Sequence, residues 1–479
     1  MNDTGHVVII GAGISGLTVA WWLSRSGVRV TVLEKDSFPG GTMRTVREGE
    51  WLVETGPNSA LETTPLFGQM FRELGIQDQW QYADPSSDNR FILRGGRLHV
   101  LPMSPGAFLK SSLWSRRGKL RLLKEPFVGR AMREETVAEF VERRLGREFL
   151  DYAINPFVAG VYAGNPEQLS VRSAFPKLYA LEEKHGGLVK GMFKGRKERK
   201  RRAEVAKDRA KMFSFREGMQ SFPDAICKSL GESVKLSAEV ISIAGTAGSQ
   251  EARHNGQSTL LVTYTSKGRL SEIVADAVVL SVPSYSARAL VSRISPDLAS
   301  TLDRIYYPPV AEVFLGFHAD QCPNPLKGFG YLVPAIEKRQ ILGTIWSSSL
   351  FPNRAPKGHI ALTTFVGGSR QPELVDLDDS DLLRRVTGEL GSIMGITGQP
   401  VFARIVRWKK AIPQYNLGYH QIIEEIESFE LGHRGLYICS NYRGGIAVGD
   451  CVLNGKKTAD NVLAVLTQST AGAKALIQE

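Results

Sequence analysis

Val7-Val8-Ile9-Ile10-Gly11-Ala12-Gly13-Ile14-Ser15-Gly16 runs four β-branched residues straight into a G-x-G-x-x-G, and Leu17, Ala20 and Leu23 then recur at helical spacing. The pattern predicts strand, tight turn and helix. Gly11 permits the turn, Gly13 lets a pyrophosphate approach the backbone, and Gly16 lets helix and strand pack closely. Ala12, Ile14 and Ser15 complete the loop, and the helix start offers phosphate its free N–H groups and positive dipole end. A second strand through Val28, Val30, Val32 and Leu33 ends on Glu34, 18 residues after Gly16. An acidic residue at that place meets ribose hydroxyls. Lys35 beside it is assigned to the same site.

Two further stretches lie close behind, Pro39-Gly40-Gly41-Thr42-Met43-Arg44 and Glu54-Thr55-Gly56-Pro57-Asn58-Ser59. Together with the first they resemble the FAD-binding start of the flavin amine oxidase and phytoene desaturase superfamily, in which a G-G-x-x-R segment passes close to the flavin. The resemblance implies FAD rather than a nicotinamide, with Gly41, Thr42, Arg44, Gly56, Pro57, Asn58 and Ser59 as further cofactor residues.

The chain has 479 residues, 42% hydrophobic and 23% charged, an ordinary globular composition with room for two or three domains. No apolar run approaches the roughly 20 residues that span a bilayer, and the first strand starts too early to leave room for a signal or transit peptide. The expectation is a protein of the cytoplasm or of the cytoplasmic face of a membrane. Cys227, Cys322, Cys439 and Cys451 are scattered, without C-x-x-C or histidine partners, which speaks for reduced thiols and against a metal site. The net charge is +11, but it is local. Lys190 to Lys211 holds eleven basic residues against three acids, which reads as a solvated face. No nucleic-acid recognition module accompanies it.

Along the chain, Leu66 to Leu74 reads as a helix ended by Gly75, and Asp88 to Pro102 as a hairpin around Gly95-Gly96 that carries Arg90 away from the phosphates. Residues 103 to about 215 are helical in pattern. There Phe108, Leu109, Leu113, Trp114, Leu120, Leu123 and Phe127 interleave with Lys110, Arg116, Arg117, Lys119, Arg121 and Lys124. Such a stretch either lies on an anionic membrane surface or packs against a core with its basic face in water. Gly160-Val161-Tyr162-Ala163-Gly164 is open to two readings, a close approach to a flat ligand or a helix break. Strands are expected over Val234–Leu236, Glu239–Ile243, Leu260–Tyr264 and Ala277–Pro283, then a mixed α/β segment from about 290 to 430. Gly435 to Cys451 is again strand, glycine-rich turn and helix, whose N-terminus suits the flavin pyrimidine carbonyls.

Over nearly its whole length the chain resembles the FAD-dependent, oxygen-using protoporphyrinogen oxidases. The specific parts are Asn89-Arg90-Phe91, Gly160 to Gly164, Tyr307-Pro308-Pro309-Val310, Gly328-Phe329-Gly330, Ser349-Leu350-Phe351-Pro352-Asn353-Arg354, Ile412-Pro413-Gln414-Tyr415 and the C-terminal turn. The resemblance implies an α/β fold: a discontinuous Rossmann-like FAD-binding domain (1–85, 216–290 and 431–479), a mixed α/β substrate domain (86–102 and 291–430) and a helical membrane-contacting domain (103–215). It also implies six-electron oxidation of a porphyrinogen by O2, with release of hydrogen peroxide. Arg90 matches an arginine that binds a substrate propionate, which a guanidinium meets bidentately. Gly160 matches a glycine that leaves room for the macrocycle. Leu332, Ile345 and Phe365 match apolar residues that clamp it, although such residues are also ordinary core. Val240, Trp408, Ile446, Ala447 and Val448 match flavin contacts. Thr42 departs from the pattern, since several relatives carry tryptophan or another bulky residue there.

A porphyrinogen bridge can lose hydride with help from its own pyrrole nitrogens, so no dedicated acid or base is expected, and catalysis would rest on positioning. Coproporphyrinogen III oxidation is the nearest alternative. An amine oxidase, a carotenoid desaturase, or a prenyl-protein carrier without redox use are the others. Peripheral membrane contact, a homodimer and hand-over of product to a chelatase are expectations of the same kind.

Overall fold

The computed structural model describes residues 5–194, 210–245, 253–254, 257–324 and 326–476. Much of the basic run, 195–209, lies outside them.

His6–Ile10 is the central strand of a five-stranded parallel sheet. Arg29–Leu33 and Ala277–Leu280 flank it, with Val234–Lys235 and Leu436–Ile438 at the edges. Val7, Val8, Ile9, Val278 and Val279 have no exposed surface. An unbroken apolar run is what a parallel strand covered on both faces requires. The helix Ile14–Arg25 follows at once. The long C-terminal helix, from Val448 to Leu476, lies against it, with Gly455 close to Thr18. The α/β class expected from the first stretch is the one found.

The strands expected at 239–243 and 260–264 pair antiparallel in a three-stranded sheet with Arg269–Ala275. Met212–Phe215 returns to pair with Ala60–Leu61 and Trp80–Tyr82. Beside that small sheet Phe67, Phe71, Phe213, Phe215 and Phe222 pack edge to face, a favoured arrangement of ring quadrupoles.

A seven-stranded sheet forms the second body. Its order is Phe402–Trp408, Val310–His318, His359–Gly367, Gly343–Ile345, Gly330–Leu332, Arg90–Arg94, Arg97–Val100. The hairpin at Gly95-Gly96 therefore joins this sheet, Arg90–Arg94 running parallel to Gly330–Leu332. Along Val310–His318 the side chains alternate. Ala311, Val313, Leu315 and Phe317 enter a core with Leu382, Val386 and Leu390 of the helix Asp379–Met394. Val310 and Glu312 face the other way, toward the parallel sheet.

Between 105 and 194 the chain is mostly short helices. Its amphipathic start divides between core and surface. Leu113 and Trp114 are buried against Phe108 and Phe149, whereas Leu109, Leu120, Leu123 and Phe127 are exposed. Behind the exposed set, Arg144 is fully buried and paired with Glu125 at 2.7 Å and with Glu182. The helix Val137–Arg144 starts with a capping box between Thr136 and Glu139. Among the described residues, no helix is long and apolar enough to cross a membrane.

Candidate functional site: a cleft between the two sheets

A cleft of about 1260 Å3 opens where the C-terminal edge of the parallel sheet faces the seven-stranded sheet. Its first wall is the glycine turn. Gly11 has φ +103°, and a β-carbon there would lie 2.7 Å from the Ser281 carbonyl of the neighbouring strand. A β-carbon on Gly16 would run into the Gly11 carbonyl, whereas one on Gly13 would meet nothing within 4 Å. Gly13 thus opens on free space at the start of the helix, where no side chain caps the free N–H groups. Gly13, Ile14 and Ser15 border the cleft. This is a cradle for an anion, formed by backbone donors and a helix dipole.

Glu34 and Lys35 also border the cleft. The Glu34 carboxylate is held by two amides, Ala12 N–H to Oε2 at 2.7 Å and Asp36 N–H to Oε1 at 3.0 Å. Each oxygen keeps a lone pair for a ribose hydroxyl. Ala12 and Gly16 stand behind the wall, the first steering Glu34 and the second packing the helix. Gly41, Thr42, Arg44, Gly56, Pro57, Asn58 and Ser59 line the cleft farther along, with Val240, Ile446, Ala447 and Val448. Trp408 joins them from the other sheet, its indole N–H donating to Thr55 O at 2.7 Å. The open cradle, the acid on paired amides and the long trough fit an extended dinucleotide such as FAD.

At the far end the wall becomes apolar. Gly160, Ile345 and Phe365 border both the cleft and a side pocket of about 90 Å3. Leu332 and Phe329 line the side pocket alone. The helix Asn155–Tyr162 ends on Ala163 in the left-handed region, so Gly160 is inside a helix and the break comes after it. The room left by its missing side chain is taken by Leu332, whose Cδ2 would collide with a β-carbon there.

Arg90 borders neither cavity. Its guanidinium stands over the Phe329 ring, 5.6 Å from the centroid, and that ring also lines the side pocket. It makes no ion pair or hydrogen bond among the described residues, and burial lowers its pKa despite nearby Asp88.

Two acids escaped the sequence reading. Glu54 is buried, 3.5 Å from Arg354, and accepts from Thr45 Oγ1 at 2.6 Å and Met219 N–H at 2.9 Å. Burial pushes its pKa up to about 7 against the pull of Arg354. Glu312 borders the cleft from the second strand of the seven-stranded sheet and is 6% exposed. The available hint was a lone charge in the apolar run Val310 to Phe317.

A glycine-turn cleft of this form is shared with a large group of proteins. The family model described as flavin containing amine oxidoreductase matches residues 14–463. The chain belongs to that family. It is an FAD-dependent oxidoreductase. Over 483 residues it is 34% identical to protoporphyrinogen oxidase 2, chloroplastic/mitochondrial, of Arabidopsis thaliana, with 96% of this chain and 94% of the relative covered. It is 27% identical to coproporphyrinogen III oxidase of Bacillus subtilis (strain 168), covering 96% and 98%. Among solved structures, reduced UDP-galactopyranose mutase superposes with a TM-score of 0.72 at 18% identity, over 97% of this chain and 95% of that one. At that identity the likeness concerns the fold.

Proposed function

We propose that this flavoenzyme oxidises protoporphyrinogen IX to protoporphyrin IX, removing six electrons in three rounds, with O2 as acceptor and three H2O2 formed per porphyrin. The observation that carries the reading is the apolar end of the cleft. That end of the large cleft, walled by Gly160, Ile345 and Phe365, suits a flat, greasy macrocycle, and Arg90, over the Phe329 ring, has no carboxylate of its own. The similarity to plant protoporphyrinogen oxidases supports the same substrate class.

Bound FAD supplies the hydride acceptor. In this reading the chain's residues do the positioning: Gly13 and the helix start hold the pyrophosphate, Glu34 the ribose, and Thr42, Trp408 and the turn at Ile446–Val448 surround the ring system. The apolar slot holds a bridge carbon of the substrate against the ring and excludes water. Arg90 meets one propionate in a two-point contact.

Coproporphyrinogen III is the second reading. Arg370 favours it: hydrogen-bonded to Val333 O, next in the chain to Leu332, at 2.8 Å and to Asn155 Oδ1 at 3.0 Å, it is a second guanidinium with no acid partner among the described residues. Burial brings its pKa down to about 10. A substrate with four propionates would use both cations. The deciding experiment is growth of porphyrin fluorescence under air from each porphyrinogen, with peroxide counted. No fluorescence from either one rejects the function.

The domain division given above and a seat on a membrane face belong to the same proposal. Met103, Leu120, Leu123, Phe127 and Met132 are exposed, set among Arg116, Arg117, Lys119, Lys124 and Arg130. Apolar insertion with basic flanks is how a protein docks on anionic lipid without crossing it.

A further inference from the structure

Glu312 sits in the wall of the cleft with no charge to answer it. Strand alternation turns it toward the cleft, since Ala311 and Val313 on either side are in the opposite core. Its Oε2 is buried and has no hydrogen-bond partner among the described residues. Arginines of the same walls have acids of their own. Arg354 pairs with Glu54, Arg404 with Glu48, and Arg407 with Asp379. Its cross-strand neighbours, Phe365 and Val406, are apolar. The nearby titratable group is another acid, Glu54.

A carboxylate in that place would be a buried, unpaired charge beside a second acid, which is strongly disfavoured. A carboxylic acid costs far less, because it carries no charge and has a proton to donate. Burial first, and Glu54 second, raise the Glu312 pKa well above the carboxylate range, against a smaller pull from the Trp408 indole. Glu312 lines the cleft with Trp408 and Val406, beside the stretch assigned above to the flavin ring system.

We propose that Glu312 is a neutral carboxylic acid that donates a hydrogen bond to bound FAD and thereby favours its reduced form. A fixed donor in a dry site stabilises the extra electron density of the reduced ring more than the oxidised ring. The proton stays on Glu312 throughout. The inference rests on the FAD site and is independent of which substrate is oxidised.

The test uses the purified flavoprotein and two substitutions. Glu312→Gln keeps the size and a donor; Glu312→Leu removes the donor. The readouts are the two-electron potential of bound FAD and the infrared carbonyl band of a protonated carboxyl. Retained flavin colour shows that each variant is folded. The expected results are a protonated-carboxyl band in the unmodified protein that Glu312→Gln abolishes, and a potential nearly unchanged in Glu312→Gln. In Glu312→Leu, reduced FAD should bind about tenfold more weakly relative to oxidised FAD, about 30 mV lower in potential. A potential that rises about tenfold in the same terms in Glu312→Gln would show that the native group is an anion and overturn the proposal. So would an unchanged potential in Glu312→Leu, or no change in the band.

Discussion

Leu332 occupies the volume that a β-carbon on Gly160 would need. The contact joins the helix Asn155–Tyr162 to the strand Gly330–Leu332, and both border the side pocket. In Gly160→Ala the clash falls on the flexible end of Leu332, which must turn into that pocket of about 90 Å3. Alanine is the better helix former by about 1 kcal/mol, so folding should survive. The expected outcome is full flavin content with a several-fold higher porphyrinogen KM. Adding Leu332→Ala should recover part of the loss. Unchanged kinetics in the single variant would mean that the side pocket is not used by the substrate.

Gly11 gives the opposite case, a glycine whose replacement reaches the cofactor itself. Its φ of +103° is disfavoured for any side chain, and a β-carbon would lie 2.7 Å from Ser281 O. Gly11→Val must therefore move the turn that carries Gly13. The expectation is a folded, colourless protein by absorbance and circular dichroism. A fully yellow variant would place the pyrophosphate elsewhere.

Gly11 was readable in the sequence because it belongs to a turn motif of fixed spacing, whereas Gly160 came only from the family resemblance, its close neighbour Leu332 being far along the chain. The strand His6–Ile10 was readable because burial on both faces leaves an unbroken apolar run. The amphipathic stretch from Phe108 to Phe127 was not resolved in the same way. Its helices are six residues long or shorter turns, so the buried side changes before a period can repeat, and Trp114 goes inside while Phe127 stays out. Glu312 was visible as a lone charge, but its meaning depends on Glu54, far away in the chain. The place of Arg90 behind Phe329 depends on the pairing of the hairpin with Gly330–Leu332, which no local pattern encodes.

Arg90 has no acid partner to lose, so its replacement should act on the substrate and not on the fold. Arg90→Ala is expected to raise the porphyrinogen KM several-fold with FAD content intact. Arg90→Lys should recover only part of the affinity, because an ammonium lacks the planar fork. Steady-state kinetics on a porphyrinogen monomethyl or dimethyl ester provide the control. If the anchor is correct, esterification and Arg90→Ala should not add.

Glu54 should make stability fall as pH rises. Its pKa is about 7 in the folded protein, against an ordinary 4.5. Between those values the native state holds the proton and the unfolded chain does not, so unfolding releases it and stability drops with increasing pH. The contribution is full below the ordinary value and lost as pH passes about 7, at most about 3 kcal/mol. Glu54→Gln, which mimics the neutral acid, should match the unmodified protein at pH 5, exceed it at pH 8, and so flatten this slope. Urea unfolding of both flavoproteins at pH 5 and pH 8 measures the difference. Parallel pH dependences in the two would remove Glu54 as its source.

Phe127 and Leu123 are 89% and 69% exposed, and water is a poor place for either. They follow one another on the turn Leu122–Phe127, whose Glu125 points inward to the buried Arg144. The ion cluster thus fixes the turn with its apolar side outward. Phe127→Glu should leave the cluster and the flavin untouched while adding a charge where lipid contact is proposed. Binding to vesicles of anionic phospholipid should fall about tenfold or more, since burial of one such ring contributes roughly 1.5–3 kcal/mol. Arg144→Met should instead strand Glu125 in the interior, while Glu182 keeps Arg143 at 3.0 Å, and lower stability by about 3–5 kcal/mol, loosening the turn as it does so. If Phe127→Glu binds vesicles as well as the unmodified protein does, this face does not touch the membrane.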